Sequence, residues 1–506
     1  MAPGIAANDA NVENGHHLTS HSNGTSIWQP VSLPQDDDNS SNRLPRAPIH
    51  LYSTSLDEVH DLVCVGFGPA SLAIAVALND LLDAQGHGRD VHVSPKVRFL
   101  ERQNTFKWHA GMLLPGARMQ ISFIKDLATL RDPCSYFTFL NYLKQHNRLV
   151  QFSNLGTFLP SRLEFDDYLQ WAASHFDDVV EYGQDVESIH PRRLAGTDKY
   201  DCFEVVARNL STGRPSTFFA RNVVIAAGGR ASRPPQFPTY HDKILHSSEY
   251  NTRIEQVLPD KERPYRIAVM GGGQSGAEVF NDLKARYPNA STRLIFRDTA
   301  LRPSDDSPFV NEVFNPEAVD NFFDQPDDFR SATLKKNKAT NYSVVRLELI
   351  EKLYDDLYLQ GIKQPDRTKW QHQILSSRDI VEVVDDKATG GLILTLTNLE
   401  PLSNRSTEKV PVDAVILATG YRRDAHIDML RDCQSINANR NGHWQPGRDY
   451  GLKLDPHSVD EGMGIWLQGC NEGTHGLSDS LLSIVSTRGG ELVDSIFSKE
   501  LNLNGH

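Results

Sequence analysis

The feature that constrains this chain most is a strand, a glycine turn and a helix in immediate succession, and it occurs twice. Asp61-Leu-Val-Cys-Val65 is a short apolar run that leads into Gly66-Phe67-Gly68-Pro69-Ala70-Ser71, and an Ala- and Leu-rich segment from Pro69 to Leu82 follows. The run predicts a buried strand, the segment a helix that stops near Gly86, and Val97-Arg-Phe-Leu-Glu101 the next strand. The order recurs at Arg266–Met270, Gly271-Gly272-Gly273-Gln274-Ser275-Gly276, Ala277–Arg286 and Arg293–Arg297. In such a unit the first glycine permits a tight turn and the second lets a pyrophosphate approach the backbone. The helix N-terminus then offers free N–H groups and a partial positive charge. Pro69 suits the first helical turn, where its missing N–H costs nothing. Ser71 stands where a third glycine is usual, whereas the second turn has all three. The expected class is α/β, with two Rossmann-like dinucleotide-binding domains and a smaller, mostly helical layer.

Two further apolar junctions, Asn222–Gly229 and Asp413–Gly420, read as strands of the first domain that flank an inserted second one. The expected boundaries are 51–232 with 400–495 for the first domain and 233–310 with 376–399 for the second. Residues 311–375 read as the helical layer over the cleft, and residues 1–50, rich in Asn, Ser, His, Pro and Asp, as a disordered tail. Arg233–Pro238 and the polar segment 403–408 read as domain connections.

Charge and cysteine content narrow the chemistry. The chain has 52 Lys and Arg against 65 Asp and Glu, a net charge of −13, the wrong sign for nucleic acid or an anionic membrane. Cys64, Cys134, Cys202, Cys433 and Cys470 show no CxxC spacing. That argues against a disulfide framework, a zinc site or a thiol redox pair, and no metal is expected. There is no apolar signal-peptide core and no apolar run of membrane length, so a cytoplasmic location is expected.

The residues that end the strands after the two turns differ. Glu101 is placed to accept a hydrogen bond from an adenosine ribose, although an ordinary strand–helix turn would read the same. Arg297 is placed to pair with a 2′-phosphate, which an acid would repel; a solvated surface charge is the bland alternative. This difference predicts FAD at the first turn and NADPH at the second. With no thiol or metal relay in view, oxygen is the expected electron acceptor.

Longer stretches then resemble a known family. Asp413-Ala-Val-Ile-Leu-Ala-Thr-Gly420-Tyr421, followed by Arg422-Arg423-Asp424-Ala425-His426, is similar to the D-x3-L-A-T-G-Y-x4-H signature of N-hydroxylating flavin monooxygenases. Met119–Pro133, Ser307–Pro316 and Asn471–Ser483 resemble other segments of the same family, above all in the L-ornithine N5-monooxygenases of siderophore synthesis. The resemblance runs from Asp61 to Gly489. It implies hydroxylation of L-ornithine to N5-hydroxyornithine with NADPH and O2, by way of a C4a-hydroperoxyflavin, in a homotetramer with no nucleic-acid or membrane partner.

The same resemblance assigns residues. Gly66, Gly68, Pro69, Ala70, Glu101, Arg102, Gln103, Asn104, Thr105, Phe106, Lys107, Trp108, His109, Gln120 and the backbone of Val186 would meet FAD. Ser480, Leu481 and Leu482 would cover its isoalloxazine end. Gly272, Gly273, Gln274, Ser275, Arg297, Asn341, Tyr342 and Ser343 would hold NADPH. Lys125 would pair with the substrate carboxylate beside Asn311, Glu312, Val313 and Phe314, and Asn341 and Ser483 would hold the amine end. No side chain declares itself as the base that neutralises the amine.

Alternatives stay open at this level. A lysine N6-monooxygenase or a broader heteroatom-oxidising flavin monooxygenase would carry the same two turns, and a nucleotide-binding redox sensor is the non-enzymatic reading. Lys125-Asp126 could be a solvated charge pair, but Ile121, Phe123 and Ile124 predict a partly buried segment, where a lysine needs an anionic partner. His246-Ser-Ser-Glu-Tyr250 reads as a hinge or a loop.

Overall fold

In the computed structural model, which describes residues 47–86, 94–193, 198–439 and 441–498, each apolar run before a glycine turn lies inside its own sheet, between two parallel neighbours. Val59–Val65 is flanked on both sides by parallel strands, Val97–Glu101 and Pro215–Ile225. Val180–Tyr182 extends the sheet beyond Val97–Glu101. Pro215–Ile225 is long enough to serve two partners on its other side. Its first half pairs antiparallel with Cys202–Asn209, and its last residues pair parallel with Gly464–Leu467. Gln184–Arg192 completes this mixed sheet. Strands covered on both faces read as continuous apolar runs, and Leu62, Val63 and Cys64 are fully buried. The helix Pro69–Gly86 packs beside Val485–Phe497. A Cβ on Gly489 would stand 2.8 Å from Ala73 O, so these helices cross too closely for a side chain at that point.

The second sheet has five parallel strands in the order His372–Leu375, Ser291–Ile295, Arg266–Met270, Ala414–Leu417, Ile244–His246. This corrects one expectation. Asp413–Gly420 reads as a strand of the first domain, yet Ala414–Leu417 is paired within the second sheet, so the boundary at 400 fails for residues 400–417. Asp413 helps to fix it there: its Oδ2 accepts the Arg266 backbone N–H at 2.8 Å and its Oδ1 the Arg266 guanidinium at 2.8 Å. A continuous apolar run specifies a buried strand but not its neighbours, which is why periodicity misplaced it.

Two other expectations are corrected. Residues 403–408 are no domain connection; they span the turn between two strands of a three-stranded antiparallel sheet, Arg378–Asp386, Gly391–Asn398 and Thr407–Val412. The expected tail lies outside the described residues as far as residue 46, but residues 47–50 are docked on the helix Pro69–Gly86. The His50 backbone N–H donates to Asn79 Oδ1 at 2.9 Å, and Asn79 Nδ2 donates to Pro48 O at 2.9 Å. Asn79 is buried and needs these partners, a requirement invisible in the composition of the tail.

The chain crosses from the first sheet to the second after Ile225 and returns after Leu417. The two crossings meet in a short antiparallel ribbon, Arg230–Ala231 against Tyr421–Arg422. His246–Tyr250 ends a strand and opens the helix Tyr250–Val257, closed by a reciprocal cap: Ser248 N–H donates to His246 Nδ1 and His246 N–H to Glu249 Oε2. Residues 311–375 contain the helices Ala318–Phe323, Asp327–Asn337 and Leu347–Lys363, but the expected helical layer ends short of 375, because His372–Leu375 is the edge strand of the second sheet. Among the described residues no helix is long and apolar enough to cross a membrane.

Candidate functional site

Both turns are pressed against the neighbouring strand end. Gly66 has φ +92°, and a Cβ there would stand 2.6 Å from Ala226 O. Gly271 has φ +132°, and a Cβ there would collide with Ala418 O. The middle glycines differ. Among the described residues nothing lies within 4 Å of a Cβ built on Gly68, whereas one on Gly273 would meet Ser343 Cα at 3.4 Å. Open space at Gly68, ahead of the 18-residue helix that Pro69 begins, fits a pyrophosphate drawn to N-terminal amides. At the third position Gly276 is enforced, because a Cβ would collide with Gly271 O, while Ser71 takes the matching place fully buried.

The strand ends differ as well. Glu101 is buried, its Oε2 accepting the Phe67 N–H at 2.7 Å and its Oε1 the Gln103 N–H at 2.8 Å. A carboxylate accepts at about four positions, so capacity for a ribose hydroxyl remains. Arg297 lies just past Ile295, exposed, with no ion pair among the described residues. These shapes and donors fit FAD at the first turn and a 2′-phosphorylated dinucleotide at the second.

The stretch after Glu101 packs beside the first turn. Phe106 packs edge-on to Phe67, their centroids 6.0 Å apart. Arg102 pairs with Asp185 at 3.6 Å, which brings the stretch beside Val186. The ladder of Gln184–Arg192 with its neighbour is interrupted by a bulge between Val186 and Ser188. Gln103, Asn104, Thr105, Lys107 and Gln120 are exposed, and Trp108 is half-buried. His109 has φ 48°. Its side chain is accessible to solvent. Desolvation by the surrounding protein, then the positive charges of Arg162 and Arg423, holds its pKa below the usual histidine value. The ring lies 5.9 Å from Tyr421 of the Ala-Thr-Gly-Tyr segment.

Lys125 is half-buried and makes no ion pair among the described residues. Burial lowers its pKa, and the negative charge of Glu317 opposes that shift. A carboxylate ligand would complete such a site. Asp126 is no solvated partner: it is buried and accepts the backbone N–H groups of Ala128 (2.9 Å), Thr129 (2.6 Å) and Phe139 (2.7 Å). Asn311 Nδ2 donates to Asp306 O at 2.8 Å, across the turn before Pro308–Asn311. Glu312–Phe314 forms a 3-10 turn packed against Leu477–Ser480.

Ser480, Leu481 and Leu482 lead, half-buried, to Ser483, whose buried Oγ has no hydrogen-bond partner among the described residues. An unmet buried hydroxyl costs about 1–3 kcal/mol, so a polar ligand there would relieve it. Tyr342 donates its hydroxyl to Glu472 Oε2 at 2.6 Å. Burial, then Glu472, pushes the Tyr342 pKa up to about 12. Asn341 is half-buried before it, and Ser343 follows at φ 59°. Through Gly273 and Ser343 the second turn therefore meets the 341–343 segment, and through Tyr342 and Glu472 that segment meets the one ending in Ser483.

Three site features escape sequence reading. Glu472 lies in the Asn471–Ser483 segment but shows no signal of its bond to Tyr342. Arg423 fills a spacer position of the Ala-Thr-Gly-Tyr stretch; it is half-buried without an ion pair among the described residues, and its charge is felt at His109, Tyr342 and Cys470. Arg162 grips Glu278 with two bonds of 2.9 Å and also donates to Met112 O at 2.8 Å. Glu278 Oε1 accepts Gln274 Nε2 at 2.8 Å, so the second turn is tied to the wall of the first. No local pattern announces an ion pair separated by more than a hundred residues.

Residues 58–423 match the model of the L-lysine 6-monooxygenase/L-ornithine 5-monooxygenase family. The chain belongs to this family. An L-ornithine N(5)-monooxygenase of Emericella nidulans is 53% identical over 462 residues, 89% of this chain and 92% of that protein. One of Burkholderia cepacia is 42% identical over 423 residues, 83% of this chain and 90% of that protein. Ornithine hydroxylase from Pseudomonas aeruginosa has a TM-score of 0.78 at 36% identity, covering 87% of this chain and 99% of that one. The ornithine N-hydroxylase of Kutzneria sp. 744, solved with reduced FAD, NADP+ and L-ornithine, gives 0.76 at 34% identity over 88% and 100%. The mixed α/β fold is common to this family.

Proposed function

We propose that this chain is an FAD- and NADPH-dependent L-ornithine N5-monooxygenase, a cytoplasmic homotetramer acting at the first step of hydroxamate siderophore synthesis. The observation that carries the reading is the 53% identity, over nearly the whole chain, with an L-ornithine N(5)-monooxygenase. The geometry supports it. Two Rossmann-like domains are inferred, one built on each of the two large sheets, with the helices of 311–375 forming the substrate side.

When bound, FAD would supply oxygen activation, with electrons from NADPH. The chain's own residues do the rest. Gly66 and Gly68 admit the first pyrophosphate, with the Glu101–His109 stretch, Gln120 and the Val186 backbone along FAD. Gly272 to Ser275 admit the second pyrophosphate, and Arg297 selects a 2′-phosphate over a hydroxyl. Ser480, Leu481 and Leu482 shield the reacting end from water. Lys125 holds the substrate carboxylate beside Asn311–Phe314, which fixes the reach of the side chain into the cleft. Ser483 Oγ and Asn341 hold the amine end.

The amine must react uncharged. An alkylammonium with a pKa of about 10.4 is only about one part in 10³ neutral at pH 7, a cost of roughly 4–5 kcal/mol. Hydroxyl and carbonyl acceptors place the neutral amine without the pull toward ammonium that a carboxylate would exert. A neutral His109 adds no positive charge to the cleft.

Mass spectrometry of products from ornithine, lysine and arginine, with FAD and NADPH supplied, tests the reading. Hydroxylated ornithine as the main product is expected. Hydroxylated lysine in its place would move the chain to the lysine branch of the family, and no hydroxylated amine at all would overturn the activity.

A further inference from the structure

Lys125 provides one charge for a ligand that carries two. The backbone end of an α-amino acid is a zwitterion, and a lone cation would grip an ω-amino carboxylate as readily as ornithine. An opposite charge stands close by. Glu317 directly precedes the helix Ala318–Phe323, and it is the charged group that acts on Lys125. The two do not close on each other: neither side chain makes an ion pair or a hydrogen bond among the described residues, and the Glu317 carboxylate does not cap its own helix. Two other acids of this layer are engaged, Asp320 with Arg448 and Asp327 with Arg330. Glu312 is exposed as well, but it does not act on Lys125.

The helix that Glu317 begins is held against the substrate end of the cleft. It packs on Glu472–His475, and a Cβ on Gly476 would lie 3.5 Å from the Phe322 ring. The turn Glu312–Phe314 just before it packs against Leu477–Ser480, which leads to Ser483. Glu317 therefore opens a helix packed beside the segment that leads to Ser483, and its charge reaches Lys125.

We propose that Glu317 receives the α-ammonium of the substrate, so that Lys125 and Glu317 together select a zwitterionic amino acid over amines that lack either charge. This rests on the proposed ornithine site. Opposite charges that face a ligand rather than each other leave a gap that only the matching zwitterion neutralises on both sides, and charge-assisted hydrogen bonds are the strong ones.

Three amines of equal reach separate the charges: L-ornithine, 5-aminopentanoate, which lacks the α-ammonium, and 1,4-diaminobutane, which lacks the carboxylate. Binding to the holoenzyme with NADP+ is measured by calorimetry, and hydroxylated product by mass spectrometry. Glu317→Gln is expected to raise the Kd for ornithine about tenfold and to leave 5-aminopentanoate unchanged. Its effect on 1,4-diaminobutane should not exceed that on ornithine. Asp328→Asn removes the same charge from an exposed position of the neighbouring helix and is expected to change neither Kd. Equal shifts for ornithine and 5-aminopentanoate, or no shift for ornithine, would overturn the assignment. Absence of hydroxylated ornithine from the wild-type enzyme would overturn the proposed activity instead, so the two failures are distinct.

Discussion

The two glycine turns share a backbone plan and differ in what they do with charge. At the first, Glu101 is buried and both its oxygens already bind backbone N–H groups. At the second, Arg297 is exposed and unpaired among the described residues. The turns differ in the same sense at their third position, where Ser71 is absorbed into the core and Gly276 has no room for a side chain. A group tied into its own loop suits a ligand that stays, and a free guanidinium suits one that arrives and leaves. Lys125 belongs with Arg297, as a charge left open.

The largest effect should come from Gly276→Ala. The new methyl would strike the Gly271 carbonyl, and overpacking of this kind costs about 1–3 kcal/mol or more. Reduction of bound FAD by NADPH, followed by absorbance without oxygen, should fall at least about 100-fold while FAD stays bound. If reduction were untouched, the second turn would not be the coenzyme cradle. Next, Arg297→Ala should raise the KM for NADPH about 10- to 100-fold and leave that for NADH nearly unchanged, as loss of charged hydrogen bonds implies. An equal rise for both coenzymes would break the contrast with Glu101.

Lys125→Ala should weaken ornithine binding about tenfold and send more of the consumed NADPH to peroxide. Wild-type affinity in that variant would remove Lys125 from the substrate site. A pH series sharpens the point. Burial lowers the Lys125 pKa from 10.5, so the unfolded chain holds that proton more tightly than the folded one. Stability from this group therefore rises with pH between the folded value and 10.5, while its grip on a carboxylate falls over the same window. Ornithine affinity should decline there in the wild type and persist in Lys125→Arg, whose guanidinium stays charged. The smallest effect is expected from Ser71→Gly, which completes the glycine pattern of the first turn. It should cost about 0.5 kcal/mol through helix propensity and leave FAD affinity unchanged, as thermal melts and flavin titration would show.

Much of the frame was legible in the sequence because it rests on local rules. The strand Val97–Glu101, the strand Arg266–Met270 and the helix starting at Pro69 lie where the apolar runs and glycines put them. What escaped depends on distant partners. Ala414–Leu417 could have joined either sheet until Asp413 met Arg266. Residues 47–50 look like tail until Asn79 offers them an amide. In the site, family segments pointed to Lys125, Asn341 and Ser483, but the Tyr342–Glu472 bond and the Arg162–Glu278 clamp join elements far apart in sequence and leave no periodic trace.

The ribbon of Arg230–Ala231 and Tyr421–Arg422 has a consequence for how the molecule comes apart. The backbone makes its outward and homeward passages between the sheets side by side, stitched together by those four residues. A protease that severs one passage leaves the other unbroken, so a singly nicked enzyme should remain one particle on a sizing column and separate only in denaturant.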